Sequence, residues 1–387
     1  MKHTVKTMLT VAAFGAAIAT GAAAQQGVSD DEIVIGSNGD LSGPFAPFFI
    51  QAVKAVQMRV DQVNDAGGIN GRKIRYIVED HGYQVPKSMA NFNKLINSDK
   101  VFAMILNLGT SQVIPGFKMM EARQVANISP LSTAVPMLEG DLEFKYTSYP
   151  PYLDQINKGI HYLREELGAG DKLCAMYIPN DYGTEVLEGA TLGAEETGMT
   201  LVAQSTHKPD ESEFVGALSK LKDADCDVVA TALSVRQLII TLGTAKKIGW
   251  TDVKFLAGAP SYHEAVAAQV GVTDGLYVAS PVTMYTERMD LPEVKAWYDA
   301  FTGLYDNEQP GMAAMLGHVG IDTLVRALEA AGPDLTPESL RSGMESLNYR
   351  DDIVGIDVNY APERHIGSEA IFLTVVENGA YKTLGQN

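Results

Sequence analysis

The 387-residue chain has only two cysteines, Cys174 and Cys226, which excludes a fold built on a disulfide framework. Each cysteine lies at the start of an apolar run, "LCAMYI" and "CDVVATAL". Neighbouring strands would bring the two together in an oxidising compartment, but sequence does not supply the geometry that a disulfide requires. Their pairing therefore stays open at this stage.

Basic residues are also scarce, with 30 Lys and Arg against 48 Asp and Glu and a formal net charge of -18. Nucleic-acid backbones and anionic membranes attract basic surfaces, so this balance argues against both as partners. It does not exclude an anionic ligand held in one local pocket. The simplest explanation of the acidity is that it keeps an exported protein soluble.

Long apolar runs are missing beyond the N-terminus. There, Lys2 and Lys6 precede an uncharged apolar stretch that ends in Ala22-Ala23-Ala24, the pattern of a cleavable export signal. We predict that residues 1–24 are a signal peptide, and their removal takes the net charge to about -20, with 28 basic and 48 acidic residues. No cysteine marks a lipid anchor at that point. We expect a soluble protein of a bacterial periplasm, without direct membrane insertion.

The usual catalytic motifs are absent as well: there is no G-x-S-x-G, H-E-x-x-H or Cys-x-x-Cys. The histidines are scattered, and none is spaced from another as metal ligands are. "GGING" lies between a helix and a strand, the wrong order for a dinucleotide-binding loop. We predict no enzyme activity, no cofactor and no metal. An exported two-lobed hydrolase or lyase and a ligand sensor for a signalling partner are the alternatives.

The segments that are present alternate between strands and helices. "EIVIGSNGD", "RKIRYIVEDHG" and "VFAMILNL" are typical of buried strands, and helical spacing of apolar residues separates them. This order predicts parallel βαβ units with right-handed crossovers. The alternation of strands and helices restarts after "KYTSYPPYLDQ", and about 360 mature residues are more than one hydrophobic core usually supports. We therefore predict an α/β fold with two doubly wound parallel-sheet lobes and a final hairpin turning at residues 377–379.

Two strands of the first lobe end in bends rich in hydroxyl groups. Gly109, Thr110 and Ser111 follow "VFAMILNL", and Ser132 and Thr133 follow the next short strand. Ligands of open α/β sheets bind beyond the carboxyl ends of the strands, where helix N-termini present unpaired N–H groups. Ser and Thr are also ordinary helix caps. The two bends together nevertheless predict a cradle for a carboxylate.

Five segments resemble segments of the periplasmic leucine/isoleucine/valine-binding protein family and occur in the same order as in that family: "NGDLSGPFA", "QVNDAGGINGRKIRYIVED", "LGT", "ISPLST" and "NDYGTEVLEGA". The members of that family are the type I solute receptors of ABC importers. The resemblance implies two lobes joined by three hinge crossings, which we place near Ser148, Ser280 and Asp352. The lobes are then residues 30–148 with 281–351 and residues 149–280 with 352–387. It also implies a small-molecule ligand, a membrane permease as partner and a monomer.

The family's binding residues fall on matching positions of this sequence. The carboxylate-binding hydroxyl corresponds to Thr110, and the second bend supplies the Leu131 carbonyl and the Thr133 hydroxyl. The aromatic residues beside the ligand correspond to Phe48 in the first lobe and Tyr182 in the second. The full set of candidate ligand-binding residues is Phe48, Tyr83, Thr110, Ser111, Leu131, Ser132, Thr133, Asp154, Tyr182, Ser234, Arg236 and Ser261.

The sequence departs from the family at the acid that meets a ligand ammonium group. The corresponding loop reads "AGAPSYHE", in which the acid, Glu264, comes late. An ammonium without an anionic partner in a closed site costs several kcal/mol. Asp154 and Asp40 are possible substitutes, and Arg236 either faces another anionic group or begins a helix at the surface. Six aromatic residues fall in predicted cleft loops and suit an aromatic or branched aliphatic acid: Phe48, Tyr83, Tyr149, Tyr152, Tyr182 and Tyr262.

Overall fold

A computed structural model describes residues 25–140 and 142–386 of the chain. The predicted signal peptide, residues 1–24, lies outside the described residues. The strands are β1 Glu32–Gly39, β2 Lys73–Asp80, β3 Ala103–Ile105, β4 Ala126–Ile128, β5 Lys145–Tyr146, β6 Lys172–Tyr177, β7 Thr200–Thr206, β8 Val228–Ala232, β9 Lys254–Ala257, β10 Tyr277–Ser280, β11 Asn348–Asp351, β12 Ile356–Asn359, β13 Phe372–Glu377 and β14 Ala380–Gln386.

Helices separate most of these strands. They are α1 Ala46–Asp65, α2 Val85–Asn93, α3 Thr110–Val113, α4 Phe117–Ala122, α5 Tyr152–His161, α6 Asp181–Thr197, α7 Val215–Asp223, α8 Val235–Lys247, α9 Glu264–Ala267, α10 Pro292–Leu304, α11 Met312–Ala331 and α12 Pro337–Glu345. Within the described residues, none combines the length and the apolar character that crossing a bilayer would need.

The strands form two main sheets, which confirms the predicted mixed α/β fold with two parallel-sheet lobes. The first sheet has the order β2-β1-β3-β4-β5 and is parallel throughout. The second has the order β14-β13-β10-β9-β8-β6-β7, in which β13 is antiparallel to both of its neighbours. Strands β1 and β8 are almost wholly buried because helices cover both faces of a parallel sheet.

The chain passes between the two sheets after β5, after β10 and through the small antiparallel pair of β11 and β12. Ser148 follows β5, Ser280 ends β10 and Asp352 follows β11, so the three predicted crossings lie beside these passages. Helices α11 and α1 pack together against the first sheet, while α5 packs on α6 and the second sheet. The exact division of the chain between the lobes stays a prediction.

The predicted final hairpin is present. Glu377 pairs with Ala380, and Asn378 and Gly379 between them both have positive φ, at 52° and 84°. Two consecutive residues with positive φ are what a type I′ turn requires, and the Asn-Gly dipeptide meets that requirement at low cost.

The apolar run at 101–108 forms a shorter strand than the sequence indicates. Only Ala103–Ile105 is a strand, because the backbone of Leu106 turns to a φ of 53°. Pairing resumes at one bridge, where Leu108 lies parallel to Leu131. This bridge joins the two hydroxyl-rich bends directly, beyond the ends of β3 and β4.

The two cysteines form a disulfide in this structure. Cys174 lies on β6 and Cys226 directly precedes the neighbouring strand β8, with their Cα atoms 5.9 Å apart. The bond spans 52 residues of sequence. It thereby ties together two strands of the second sheet that helix α6, strand β7 and helix α7 separate along the chain.

Replacing both cysteines by alanine is expected to lower the free energy of unfolding by about 2–4 kcal/mol, because the unfolded chain loses a constraint. Urea denaturation followed by circular dichroism measures this change. Wild-type protein under reducing conditions is the control and should unfold near the midpoint of the double variant. An unchanged midpoint in both samples would contradict a stabilising disulfide.

Candidate functional site

A cavity lies between the two sheets, beyond the carboxyl ends of their strands. It encloses about 540 Å³ of space between atoms, part of which is open to solvent. Six aromatic rings line it, those of Phe45, Phe48, Tyr83, Tyr149, Tyr152 and Tyr182.

The polar part of the wall comes from the two bends of the first sheet. Gly109 and Thr110 line it where α3 begins, and Leu131 and Thr133 line it from the second bend. Gly109 has a φ of 91°, and a Cβ there would lie 2.4 Å from the Gln112 side-chain oxygen, so the position requires glycine. The bend thus brings main-chain N–H groups of the first helical turn to the cavity.

Hydrogen bonds set the orientation of the two threonines. The hydroxyls of Thr110 and Ser132 lie 2.8 Å apart and share one hydrogen bond. The Thr133 hydroxyl accepts from the Gln155 amide at 3.3 Å, so its own hydrogen remains for another acceptor. Gln155 lies fully buried on α5, and its side-chain oxygen accepts from the backbone of Ala259 on the opposite side. Gln155 therefore connects the second bend to Ala259 on the opposite wall of the cavity.

Aromatic contacts order the wall. The Tyr182 ring lies 5.0 Å from the ring of Tyr152 and 6.4 Å from that of Phe45, both in edge-on arrangements. Phe45 in turn packs on Tyr83 at 4.7 Å. Burial raises the pKa of the Tyr182, Tyr152 and Tyr83 hydroxyls, so these groups are neutral hydrogen-bond donors at physiological pH.

Contacts across the cavity come mainly from the start of α6. Asn180 caps this helix and donates to the Tyr83 hydroxyl at 3.3 Å, and Ser111 donates to Asp181 at 2.6 Å. Glu185 accepts from the backbone of Val135 at 3.1 Å. Burial raises the pKa of Glu185 to about 7. The structure therefore has the two lobes in contact around the cavity.

Of the candidate residues, the structure brings six to the cavity wall: Phe48, Tyr83, Thr110, Leu131, Thr133 and Tyr182. Ser132 is buried beside Thr110, and Ser111 lies at the contact with Asp181.

The other four candidates lie apart from the wall. Ser234 caps α8, while Ser261 donates to the Leu233 carbonyl at 2.8 Å. Asp154 and Arg236 are exposed on α5 and α8.

The chain matches the model of the periplasmic binding protein family over residues 32–380. It belongs to that family. Among curated relatives, the leucine-, isoleucine-, valine-, threonine- and alanine-binding protein of Pseudomonas aeruginosa is 23% identical, with 84% of this chain and 87% of that protein covered. The resemblance to the leucine/isoleucine/valine-binding proteins is thereby confirmed.

Solved structures of solute-binding proteins share the fold. The fatty acid ABC transporter substrate-binding protein from Thermomonospora curvata superposes with a TM-score of 0.85 at 24% identity, covering 93% of each chain. An ABC transporter solute-binding protein of R. palustris, solved with benzoate, gives a TM-score of 0.80 at 17% identity, covering 91% of this chain and 95% of that one.

Several cavity residues of this periplasmic binding protein were not among the sequence candidates. Phe45 directly precedes α1, Pro281 follows β10, and Leu316 lies on α11, far along the chain from the bends. Gln155, which holds Thr133, was missed too. Tyr149 and Tyr152 were expected in the cleft as aromatic loop residues, and the SYPPYLDQ segment that contains them gave the only signal for Gln155. Tyr262, expected there as well, packs on Tyr381 and is not part of the wall.

A second polar cluster lies away from this cavity, where His318 and Asp322 on α11 approach Asp351 on β11. Their potential ligand atoms lie within 4.8 Å of one another. Both Asp322 oxygens are already engaged, one by Arg59 at 2.9 Å and the other by Arg326 at 2.6 Å. Two guanidinium groups at the same carboxylate disfavour a cation there, so the cluster is best explained as a structural ion-pair network.

Proposed function

We propose that this protein is the extracytoplasmic receptor of an ABC importer, which captures a small carboxylate ligand and delivers it to a membrane permease. In this role it works in the periplasm after removal of a signal peptide, binds as a monomer and catalyses no reaction. The membership of the periplasmic binding protein family supports this class of function.

One observation carries the proposal: a cavity between two sheets, polar on the side of the first-sheet bends and aromatic elsewhere. Main-chain N–H groups at the start of a helix carry partial positive charge and bind carboxylates without Lys or Arg. Thr110 and Thr133 add hydroxyl donors on either side of the Leu108–Leu131 bridge. The ligand carboxylate sits against this cradle, and its body lies against the aromatic rings.

Named ligands of relatives are consistent with a carboxylate. The Pseudomonas protein is named for five amino acids, the Thermomonospora structure for fatty acid and the R. palustris complex for benzoate. These molecules differ in charge and shape but share an acid group. The shared group is the one that the first-sheet bends suit.

Binding is coupled to hinge closure in this proposal. The first lobe, residues 30–148 with 281–351, seats the ligand, and the second, residues 149–280 with 352–387, closes over it with Tyr182. The contacts of Asn180 with Tyr83 and of Asp181 with Ser111 support this, since they join segments of the two sheets beside the cavity. In an open form these four side chains would separate.

Titration of the protein with a panel of amino acids, fatty acids and benzoates, followed by intrinsic fluorescence and small-angle scattering, tests the proposal. We expect saturable binding of at least one acid, without turnover, together with a smaller radius of gyration for the liganded protein. Product formation would favour the hydrolase or lyase alternative instead. Equal radii with and without bound ligand would contradict hinge closure.

A further inference from the structure

The cavity wall contains no ionisable acid or base other than tyrosine among the described residues. A carboxylate can be held by N–H groups and hydroxyls, but an ammonium group requires acceptors and, in a dry site, a negative charge. The wall therefore offers hydrogen-bond donors to the carboxylate of an amino acid but no anionic partner to its ammonium group.

Two buried acidic side chains next to wall residues, Asp40 and Glu185, already accept hydrogen bonds from main-chain donors. The buried Asp40 carboxylate accepts from Gly43 at 2.5 Å, Ser42 at 3.3 Å and Phe45 at 2.9 Å. These bonds fix the loop before α1, so releasing the carboxylate would disrupt that loop.

Glu185 is committed in the same way, accepting from Val135 at 3.1 Å and from Leu153 at 3.3 Å. Asp154, the other substitute considered from the sequence, is exposed on α5 and is not part of the wall. Asp40, Glu185 and Asp154 are thus not available to a ligand ammonium. Glu264 is also buried and its carboxyl oxygens have no hydrogen-bond partner among the described residues, but it lies against Gly311 and is not part of the wall.

Two tyrosine hydroxyls of the wall, those of Tyr149 and Tyr182, are buried and have no hydrogen-bond partner among the described residues. Both side chains line the cavity, and relative exposures of 3% for each show that solvent does not satisfy them. Besides burial, Tyr152 and Tyr83 of the wall raise the pKa of Tyr182, whereas groups outside the wall raise the pKa of Tyr149, so the two hydroxyls have different surroundings. Buried tyrosine hydroxyls normally find a partner, and an unmade bond of this kind is costly. An oxygen atom of the ligand would supply that partner to Tyr182.

We infer that the ligand is an aromatic monocarboxylate that lacks an ammonium group and carries a second oxygen on its ring, which Tyr182 recognises. This inference rests on the proposed function and narrows its ligand class. The carboxylate occupies the cradle of Thr110 and Thr133, the ring packs among the aromatic side chains, and the second oxygen accepts from the Tyr182 hydroxyl. Tyr182 is then a specificity residue, in addition to its role in packing.

Three ligands that differ by one group each provide the first test by isothermal titration calorimetry. 4-Hydroxyphenylacetate should bind about 10-fold more tightly than phenylacetate, the effect of one added hydrogen bond. It should bind on the order of 100-fold more tightly than 4-hydroxyphenylglycine, which adds only the ammonium group. Leucine and 4-methylpentanoate form a second pair with one aliphatic skeleton, and the acid should again bind more tightly than the amino acid.

Tyr182→Phe provides the second test, since it removes the hydroxyl and keeps the ring. It should reduce the preference for 4-hydroxyphenylacetate over phenylacetate by about 3- to 10-fold while leaving the affinity for phenylacetate nearly unchanged. Tyr298→Phe is the matched control, because its hydroxyl donates to Gln309 at 2.9 Å outside the cavity. Thermal unfolding of each variant checks that the fold is retained.

The outcomes separate the inference from the function on which it rests. Amino acids that bind as tightly as their deaminated partners would overturn the inference and leave the receptor function standing. A hydroxyl preference that survives Tyr182→Phe would overturn the assignment of the specificity residue. If none of the five ligands binds and the wider panel of acids also fails, the inference and the proposed function both fail.

Discussion

Replacing Thr110 and Thr133 together by valine is expected to weaken carboxylate binding by on the order of 100-fold. Valine keeps the branched shape of threonine and removes the hydroxyl, so the change removes donors without opening a cavity. A hydrogen bond to a charged group contributes about 1.5–3 kcal/mol, and two such bonds are lost. Calorimetric titration with the tightest-binding acid of the panel measures the change.

The two positions are not expected to act alike. Thr110 shares a hydrogen bond with Ser132, so its loss also leaves the buried Ser132 hydroxyl without that partner. Thr133 accepts from Gln155, which has a second acceptor in the Pro150 carbonyl at 2.8 Å. The single Thr110→Val variant should therefore lose more fold stability than Thr133→Val, and both losses should be separable from the loss of affinity.

Serine at both positions is the matched control, since it keeps the hydroxyls and removes only the methyl groups. This variant should retain affinity within a few-fold of wild type. If the valine variant binds the acid as tightly as the serine variant does, the hydroxyls take no part in holding the carboxylate. The cradle would then have to consist of main-chain groups alone, or the carboxylate would lie elsewhere in the cavity.

The fold could be predicted from the sequence because it follows from local sequence patterns. Apolar residues alternate between strand and helix periodicity along the chain, and the Asn378-Gly379 dipeptide specifies the turn of the final hairpin. The exception is the end of β3, where apolar residues continue past the strand. Leu106 carries no local signal for a positive φ, and the turn there follows from the packing of the two bends against each other.

The candidate site shows where sequence reasoning reaches its limit. Positions taken from the family resemblance, such as Thr110 and Tyr182, lie at the cavity wall. Ser234 and Ser261 lie beyond the ends of β8 and β9, but their hydroxyls serve a helix cap and a loop carbonyl instead. A serine after a strand fits either role, and only tertiary packing decides between them. Leu316 reaches the wall from α11, which no local pattern connects to the bends.

In the loop "AGAPSYHE", the acid Glu264 comes too late to match the family position that meets a ligand ammonium. In the structure it has a different environment. It begins α9, which packs with α8 and β14 of the second sheet. Its carboxyl lies against Gly311, at the start of α11, and a Cβ added at Gly311 would be only 2.0 Å from a Glu264 oxygen. Gln51 of α1 also lies beside Gly311, and its side-chain oxygen accepts from the Gly311 N–H at 2.9 Å. Glu264 is thus buried where the two lobes meet.

Burial raises the pKa of Glu264 to about 8, and the nearby Met312 backbone offsets part of that effect. A carboxyl with a raised pKa binds more protons in the folded state than in the unfolded one. The free energy of unfolding therefore falls as the pH rises from the ordinary glutamate value towards 8. Below that window both states are protonated and the contribution of Glu264 is constant.

Glu264→Gln is expected to abolish this fall, because glutamine keeps the shape of the neutral acid and does not titrate. Relative to wild type, the variant should gain stability by on the order of 1.4 kcal/mol per pH unit between about pH 5 and 8, reaching a few kcal/mol. Urea denaturation at pH 5, 6.5 and 8 measures the difference. Titrating groups remote from Glu264 largely cancel when the two proteins are compared at each pH, whereas His263, at 3.8 Å from Glu264, contributes through its coupling to that carboxyl.

Glu329→Gln, on the exposed side of α11, is the control and should run parallel to wild type across the same range. Parallel curves for Glu264→Gln would contradict a buried neutral carboxyl at the lobe contact. The prediction also separates two roles for this acid. A positive result would show that Glu264 is neutral and buried against α11 in the ligand-free protein, which favours acids over amino acids as ligands.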